Sequence, residues 1–444
     1  MAPMTFFGIL MKRGHGHAAT AILLAMLAMM LTAISYGRMA RVYPSAGSAY
    51  TYVGSEISPA IGFVVGWSMV LDYIVNPMLN VIFCSQQLHV MFPGCAYWAW
   101  AIAFAALFTI LNVQGIKTSA RLNALLAAGM GVVVLMFFVA ASLYVARHPH
   151  AGSAFFTHPL YDPHRFTLSG LLSGTALAVL AYMGFDSIST LSEEAKNPRD
   201  VLPATIMTCL VIGLLSALEV YAAQLVWPVT EAFPDIDTAF TSVAGRAWAP
   251  LYALIGGSLV VACIASGTGM QLGAARLLYG MGRSGALPRS FFGLLEPTKR
   301  IPRNSVVFVG AAALAGAIVL PLIAAGSTGF DLAASLLNFG ALIGFMGVNT
   351  AALLRFYWRA EERRFINLLL PAAGFLVCLV LWWNLSTQAR VLGSIWMIAG
   401  IALGALRTRG FRASVITLEI PLEVTPESSS THGRRVRSCG ESLP

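Results

Sequence analysis

Residues 168–191, LSGLLSGTALAVLAYMGFDSISTL, form an apolar run long enough to cross a bilayer as one helix, yet they carry Gly184 and Asp186 in their interior. In hydrocarbon every backbone N–H and C=O must find a partner within the protein, and a single run this long satisfies that requirement only as a helix. A glycine followed by Asp-Ser ends one half-helix and caps the next, with the Asp186 carboxylate accepting from the freed amides. The segment therefore predicts a broken membrane helix. Such breaks offer an N-terminus to a carboxylate and free carbonyls to a cation, which suits the two charged ends of an amino acid. Ala181, Tyr182, Met183, Gly184, Phe185, Asp186 and Ser187 are accordingly the first candidates for a substrate site. A plainer reading stands beside this one, in which Asp186 only caps the second half-helix.

Outward from this segment, runs of similar character occupy 18–37, 59–84, 97–113, 123–145, 204–227, 248–275, 305–323, 332–353, 366–383 and 391–406. The 444 residues are 57% hydrophobic and 11% charged, whereas soluble domains are roughly 45–50% apolar and about 25% charged. The pattern predicts an all-α integral membrane protein of eleven helices, with a single membrane domain over 1–406. A disordered tail is expected over 407–444, where serines and the Arg434, Arg435, Arg437 cluster leave too little apolar surface to fold. The net charge of +9 does not point to nucleic acid, because the Lys and Arg residues sit in short alternate loops and form no continuous stripe. Arg38 and Arg41, Lys117 and Arg121, Lys196 and Arg199, the Arg276 to Arg303 connection, Arg355 to Arg364 and the tail mark one side as cytoplasmic. The C-terminus is expected on that side of a cell inner membrane. At the other end of the chain, Pro3 to Leu10 has the character of the last turns of a membrane helix whose first half is absent.

Two further acids lie inside apolar runs, Asp72 in GWSMVLDYIVNP and Glu219 in SALEVYAAQ. Each requires a partner or a proton at that depth. They could balance a substrate ammonium or carry a coupling proton, or else make a hydrogen-bonded packing contact with a neighbouring helix. The run near 248–275 carries Ser266, Gly267, Thr268, Gly269, Gln271 and Gly273, which suits close helix packing and makes Ser266 a candidate substrate contact. Gly280-Met281-Gly282-Arg283-Ser284-Gly285 matches GxGxxG, but it follows a membrane helix and no strand, so a dinucleotide site lacks its context. Tyr36, Tyr50 and Tyr52, with Trp98, Trp100, Trp382 and Trp383, are read as interfacial belt residues. His15, His17, His148, His150, His158 and His164 fall in presumed external loops without a metal-ligand repeat, and no metal or cofactor is expected. Cys84, Cys209, Cys263 and Cys378 lie within apolar runs as small hydrophobes. No nucleophile elbow and no Walker loop occur, so the reading is not an enzyme, and an ion gradient or solute exchange must supply the energy for any pumping.

Four ordered stretches carry a resemblance: SYGRMARVYPSAGSAYTYV (35–53), GFVVGWSMVLDY (62–73), GFDSISTLSEEAKNPRDVLP (184–203) and GAARLLYGMGRSGALPRSFF (273–292). Together they resemble the amino acid–polyamine–organocation permeases, most closely bacterial members related to putrescine importers. The resemblance implies a LeuT-like bundle of twelve helices with two inverted five-helix repeats and a central site beside broken helices one and six. On that count the chain has eleven helices and a stub of the first. Ala181 to Ser187 corresponds to the broken segment of helix six, with Asp186 where relatives often keep an acid. The run near 248–275 corresponds to helix eight, and Gly62, Gly66, Trp67 and Asp72 lie on helix three. Glu193, Glu194, Lys196, Asn197 and Arg199 fall in the connection after helix six, as a charged gate or as a solvated loop. The implied function is proton-coupled alternating access for amino acids or related amines, with a putrescine importer or an inactive permease remnant as the alternatives.

Overall fold

A computed structural model describes residues 2–43, 48–115, 120–148, 152, 154–186, 188, 200–284 and 287–407. Ser187, the connection Glu193 to Arg199, Lys117, His150, Gly285 and the tail beyond 407 lie outside the described residues. The regular elements are helical throughout the described residues: α1 Phe7–Arg13, α2 Ala18–Val42, α3 Ser48–Glu56, α4 Pro59–Met91, α5 Tyr97–Gln114, α6 Ala120–Arg147 and α7 Leu168–Ala178. They continue as α8 Val201–Val226, α9 Ala239–Ala247, α10 Pro250–Ser284, α11 Arg303–Ile323, α12 Gly329–Leu353, α13 Phe365–Trp383 and α14 Thr387–Arg407. Among the described residues ten helices are long and apolar enough to cross a membrane. The predicted span 168–191 is the exception, because its regular helix stops at Ala178 and a tighter turn ends at Tyr182.

Local chemistry sets several helix ends. Ser58 accepts from the Ile61 amide ahead of Pro59, which fixes the start of α4. Gly115 takes a left-handed conformation at φ 69° and closes α5. Thr328 caps α12 by accepting from the Asp331 amide. The last turn of α12 widens into a π-helical segment, Leu354–Trp358.

Three helices make the centre. In the most apolar window of α12, extended through its π turn, 72% is buried, and in α2 and α4 61%, whereas the other spans reach 22–39% and face lipid. Close approach is built in where α12 crosses α4, because a Cβ at Gly340 would collide with the Ser68 carbonyl. Polar groups then tie the helices: Asn349 donates to Thr32 Oγ1 at 3.0 Å and accepts from Ser35 Oγ at 2.7 Å, joining α12 to α2. Gln271 donates to Thr109 and to the Val306 carbonyl and accepts from Asn112, so this polar residue of α10 packs against α5 and α11. Trp67 and Trp396 stack at 4.8 Å and donate to each other's carbonyls, fastening α14 to α4.

The structure corrects one sequence expectation. Tyr36 and Tyr52 are fully buried and do not lie in an interfacial belt, because α2 continues to Val42 and α3 folds back beneath it. His17 is likewise buried. It accepts from the Asp162 amide through Nε2 and contacts the Gly14 carbonyl through Nδ1, so it locks a loop closed and is not solvated.

Candidate functional site

The break in α7 forms from the inside out. Thr167 caps the helix by accepting from the Gly170 amide, and the helix runs to Ala178 before tightening over Val179–Tyr182. Gly184 then takes φ 106°, a backbone conformation that a residue with a Cβ rarely adopts, and the chain turns at Phe185 and Asp186. A helix that stops inside a bundle leaves carbonyls without partners. Asn338 of α12 supplies them, donating through Nδ2 to the Ala176 carbonyl at 2.8 Å and towards the Leu177 carbonyl at 3.3 Å. Tyr182 donates its hydroxyl to the Ile22 carbonyl of α2, so this candidate anchors the break and its hydroxyl is already engaged. Ala181 and Phe185 are buried beside it, Met183 is half-buried and Gly184 is exposed.

Asp186 is half-buried at the turn, and its charge acts on Asp72 of α4, Tyr73, Tyr36 of α2 and Cys209 of α8. The structure therefore brings Asp72 and Asp186 together from helices far apart in sequence. Asp72 is 7% exposed, and its Oδ1, like the Tyr36 hydroxyl, has no hydrogen-bond partner among the described residues. The unused polar atoms of Asp72 and Tyr36 are costly in a low-dielectric interior. Glu219 is buried on α8, and Ser266 stands exposed on α10. Beneath the pair, towards the Arg-rich loops, Tyr36, Phe185 and Phe345 meet at ring distances of 5.2–5.8 Å and form an aromatic floor.

Above the break, at the Arg-poor end, Arg13 on α1 grips Asp331 of α12. Nη2 lies 2.8 and 2.9 Å from the two carboxylate oxygens and donates also to Ser335 at 3.1 Å. Asp331, Ser335 and Asn338 follow one another at i, i+4 and i+7 on one face of α12, a polar track leading from this latch to the end of α7. The opposite end has its own latch: Glu56 of α3, 1% exposed, accepts from Tyr43 at 2.7 Å and from Arg359 at 2.6 Å, with Arg355 at 3.7 Å. Both latches engage the same helix, since Arg355 and Arg359 follow α12 across its π turn. Asn338, Glu56 and the Arg13–Asp331 pair were absent from the candidates read in the sequence. The only sequence signal for them was a polar residue near or within an apolar run.

Two measurements check this geometry. Asn338→Leu removes the donor to both α7 carbonyls and is expected to lower stability by about 1–3 kcal/mol; a thermal unfolding midpoint unchanged in detergent would show that the carbonyls find other partners. The second concerns Asp237, in the loop before α9, which accepts from Thr328 Oγ1 at 2.7 Å. Burial pushes its carboxyl up to about 7, the Thr328 bond opposes this, and the nearby Asp235 and Asp331 charges reinforce it. An acid that folding makes weaker stabilises the fold at low pH, and the contribution falls as pH rises from about 4 towards 7. The wild type should lose stability over that window relative to Asp237→Asn, and parallel unfolding midpoints of the two proteins from pH 4 to pH 8 would contradict the assignment.

The family model described as Amino acid permease matches residues 4–403. The low-affinity putrescine importer PlaP of Escherichia coli K12 is 36% identical over 431 residues, covering 94% of this chain and 92% of that protein. The branched-chain amino acid permease BcaP of Lactococcus lactis subsp. cremoris is 27% identical, with 86% and 84% covered. Among solved structures, a point mutant of the Eremococcus coleocola manganese transporter superposes with a TM-score of 0.54 at 13% identity over 90% of each chain, a likeness of fold.

Proposed function

Since the chain belongs to the amino acid permease family and is thus a secondary transporter for amino acids or related amines, we propose that it works by alternating access about the break in α7, with proton symport as the coupling. The observation that carries this reading is the juxtaposition of Asp186 at the break with Asp72 on α4, whose Oδ1 is buried and unpartnered. A substrate ammonium or a proton satisfies that pair, and the exposed backbone at Gly184 offers polar groups beside it. Asp186 and Asp72 take the ammonium or the proton, and Met183, Gly184 and Phe185 form walls. Ser187 and Ser266 are further candidate contacts, and Glu219 is a second proton-carrying candidate. The Arg13–Asp331 and Glu56–Arg359 latches open in alternation at the two ends of α12. The Arg-rich loops and the C-terminus lie in the cytoplasm, with the chain in the cytoplasmic membrane of a bacterium.

A second reading has its own support, the 36% identity to a putrescine importer. For a diamine the two aspartates would have to balance two charges in the same site. Gradient-driven uptake of a labelled panel of amino acids and polyamines into proteoliposomes tests the proposal. Saturable accumulation of an amino acid, abolished by collapsing the proton gradient, is the expected result. Accumulation of putrescine alone would select the second reading, and no accumulation of any member of the panel would overturn both.

A further inference from the structure

The Arg-poor end opens into a cavity of about 640 Å³ reaching down to the Arg13–Asp331 latch. That volume falls within the range of small-molecule sites. Three helices begin at its wall: α7 through Ser169 and Gly170, α12 through Thr328, and α14 through Thr387 and Gln388. Each helix start carries about half a positive charge, with one amide of each already capped by Thr167, Thr328 or Ser386. Lys12, Arg13 and His15 line the same space. Lys12 is exposed, with the Gly326 carbonyl at 3.5 Å as its described contact. Arg13 is 12% exposed, and its Nη1 is buried without a hydrogen-bond partner among the described residues.

Against these stands one carboxylate in the described lining, Asp331, held by Arg13 and acted on also by the Lys12 charge. Asp237 lies behind Thr328, and burial pushes its carboxyl up to about 7. A smaller pocket of about 350 Å³ shares Lys12 and His15 and adds Arg165, whose partner Asp162 lies at 3.7 Å. The balance around the cavity is positive.

We infer that this cavity is a first binding station for the carboxylate of an amino acid, and that it disfavours diamines. The inference rests on the transport reading above and narrows its substrate class. The two stations have opposite character: the outer one holds a carboxylate, and the Asp72–Asp186 pair deeper in holds an ammonium. A substrate carrying both groups meets a partner at each step, whereas a molecule with amines alone is repelled at the entrance.

L-Ornithine and putrescine differ by the α-carboxylate, and L-leucine and isopentylamine differ in the same way, so the two pairs isolate that group. Thermal stabilisation of the purified full chain is measured with all four in wild type and in Lys12→Glu, an exposed position where charge reversal leaves packing unchanged. Uptake of the same four is measured in proteoliposomes. Each acid should stabilise wild type at concentrations at least tenfold lower than its amine, and Lys12→Glu should erase most of that preference. For a transported acid, the half-saturating concentration should rise about tenfold with the maximal rate within twofold. Stabilisation by acids without any uptake would keep the outer station and remove the transport mechanism. Stabilisation by putrescine at or below the L-ornithine concentration, no stabilisation by any of the four, or an unchanged preference in Lys12→Glu would overturn the inference.

Discussion

Asp186→Asn should abolish gradient-driven accumulation, by about 100-fold or more, while the protein still inserts and purifies normally. The substitution keeps the size of the side chain and removes its charge, so it tests electrostatics with little change in packing. In the wild type Asp186 and Asp72 act on each other from α4 and the turn after α7. Like charges that act on each other in a low-dielectric interior are costly. The pair therefore changes free energy whenever a cation arrives or a proton leaves. With a neutral amide in place of the carboxylate that change disappears, and the coupling disappears with it. Exchange of internal for external substrate separates the two roles of the carboxylate. If exchange persists in the variant, Asp186 carries the proton; if exchange is also lost, it binds the ammonium. Unchanged accumulation would remove Asp186 from the mechanism altogether.

The second large effect is expected at the Arg13–Asp331 latch. Breaking a buried ion pair on one side strands the other charge, which costs about 3–5 kcal/mol, whereas replacing both members with apolar residues of similar volume is often neutral. Arg13→Met and Asp331→Leu should therefore each depress the unfolding midpoint in detergent strongly, and the double variant should regain most of the loss. On the proposed alternating-access mechanism uptake should not recover in the double variant, because a latch that cannot open and close no longer separates the two states. Single variants as stable as wild type would show that the pair carries little energy. A double variant with full uptake would show that it is no gate.

The spans were legible in the sequence because long apolar runs in hydrocarbon have one solution. Their ends were less so. α4 was expected to stop at 84 and continues to Met91, because Gln86 and Gln87 find Asp235 and Thr241 on the neighbouring loop and helix and His89 reaches the Cys95 carbonyl. Polar residues look like a helix end until their partners are known. The break at Gly184 was legible for a local reason, a residue without a Cβ where the backbone turns to φ 106°. Asp72 and Asp186 were each conspicuous as intramembrane acids, but their proximity was not, since α4 and α7 are separated by two full spans. Asn338 and Glu56 gave still less signal. An asparagine in an apolar run reads as packing until it meets the open end of another helix, and a glutamate at the end of an amphipathic segment reads as solvated until two arginines of a distant helix close over it.

Arg13 and Asp331 are 318 residues apart. A ribosome adding about 5–20 residues per second needs roughly 15–60 s to travel that distance. Throughout that interval the guanidinium already belongs to a chain entering the bilayer, and its carboxylate has not yet been made. The nascent protein must keep Arg13 at the headgroups, or in the care of the insertion machinery, until α12 arrives. The ion pair thus also closes late in assembly: Phe7 of α1 can pack on Phe233 and Phe240 beforehand, but the contact of Arg13 with α12 forms only after three quarters of the chain has been synthesised, and truncations ending before α12 are expected to leave Arg13 without it.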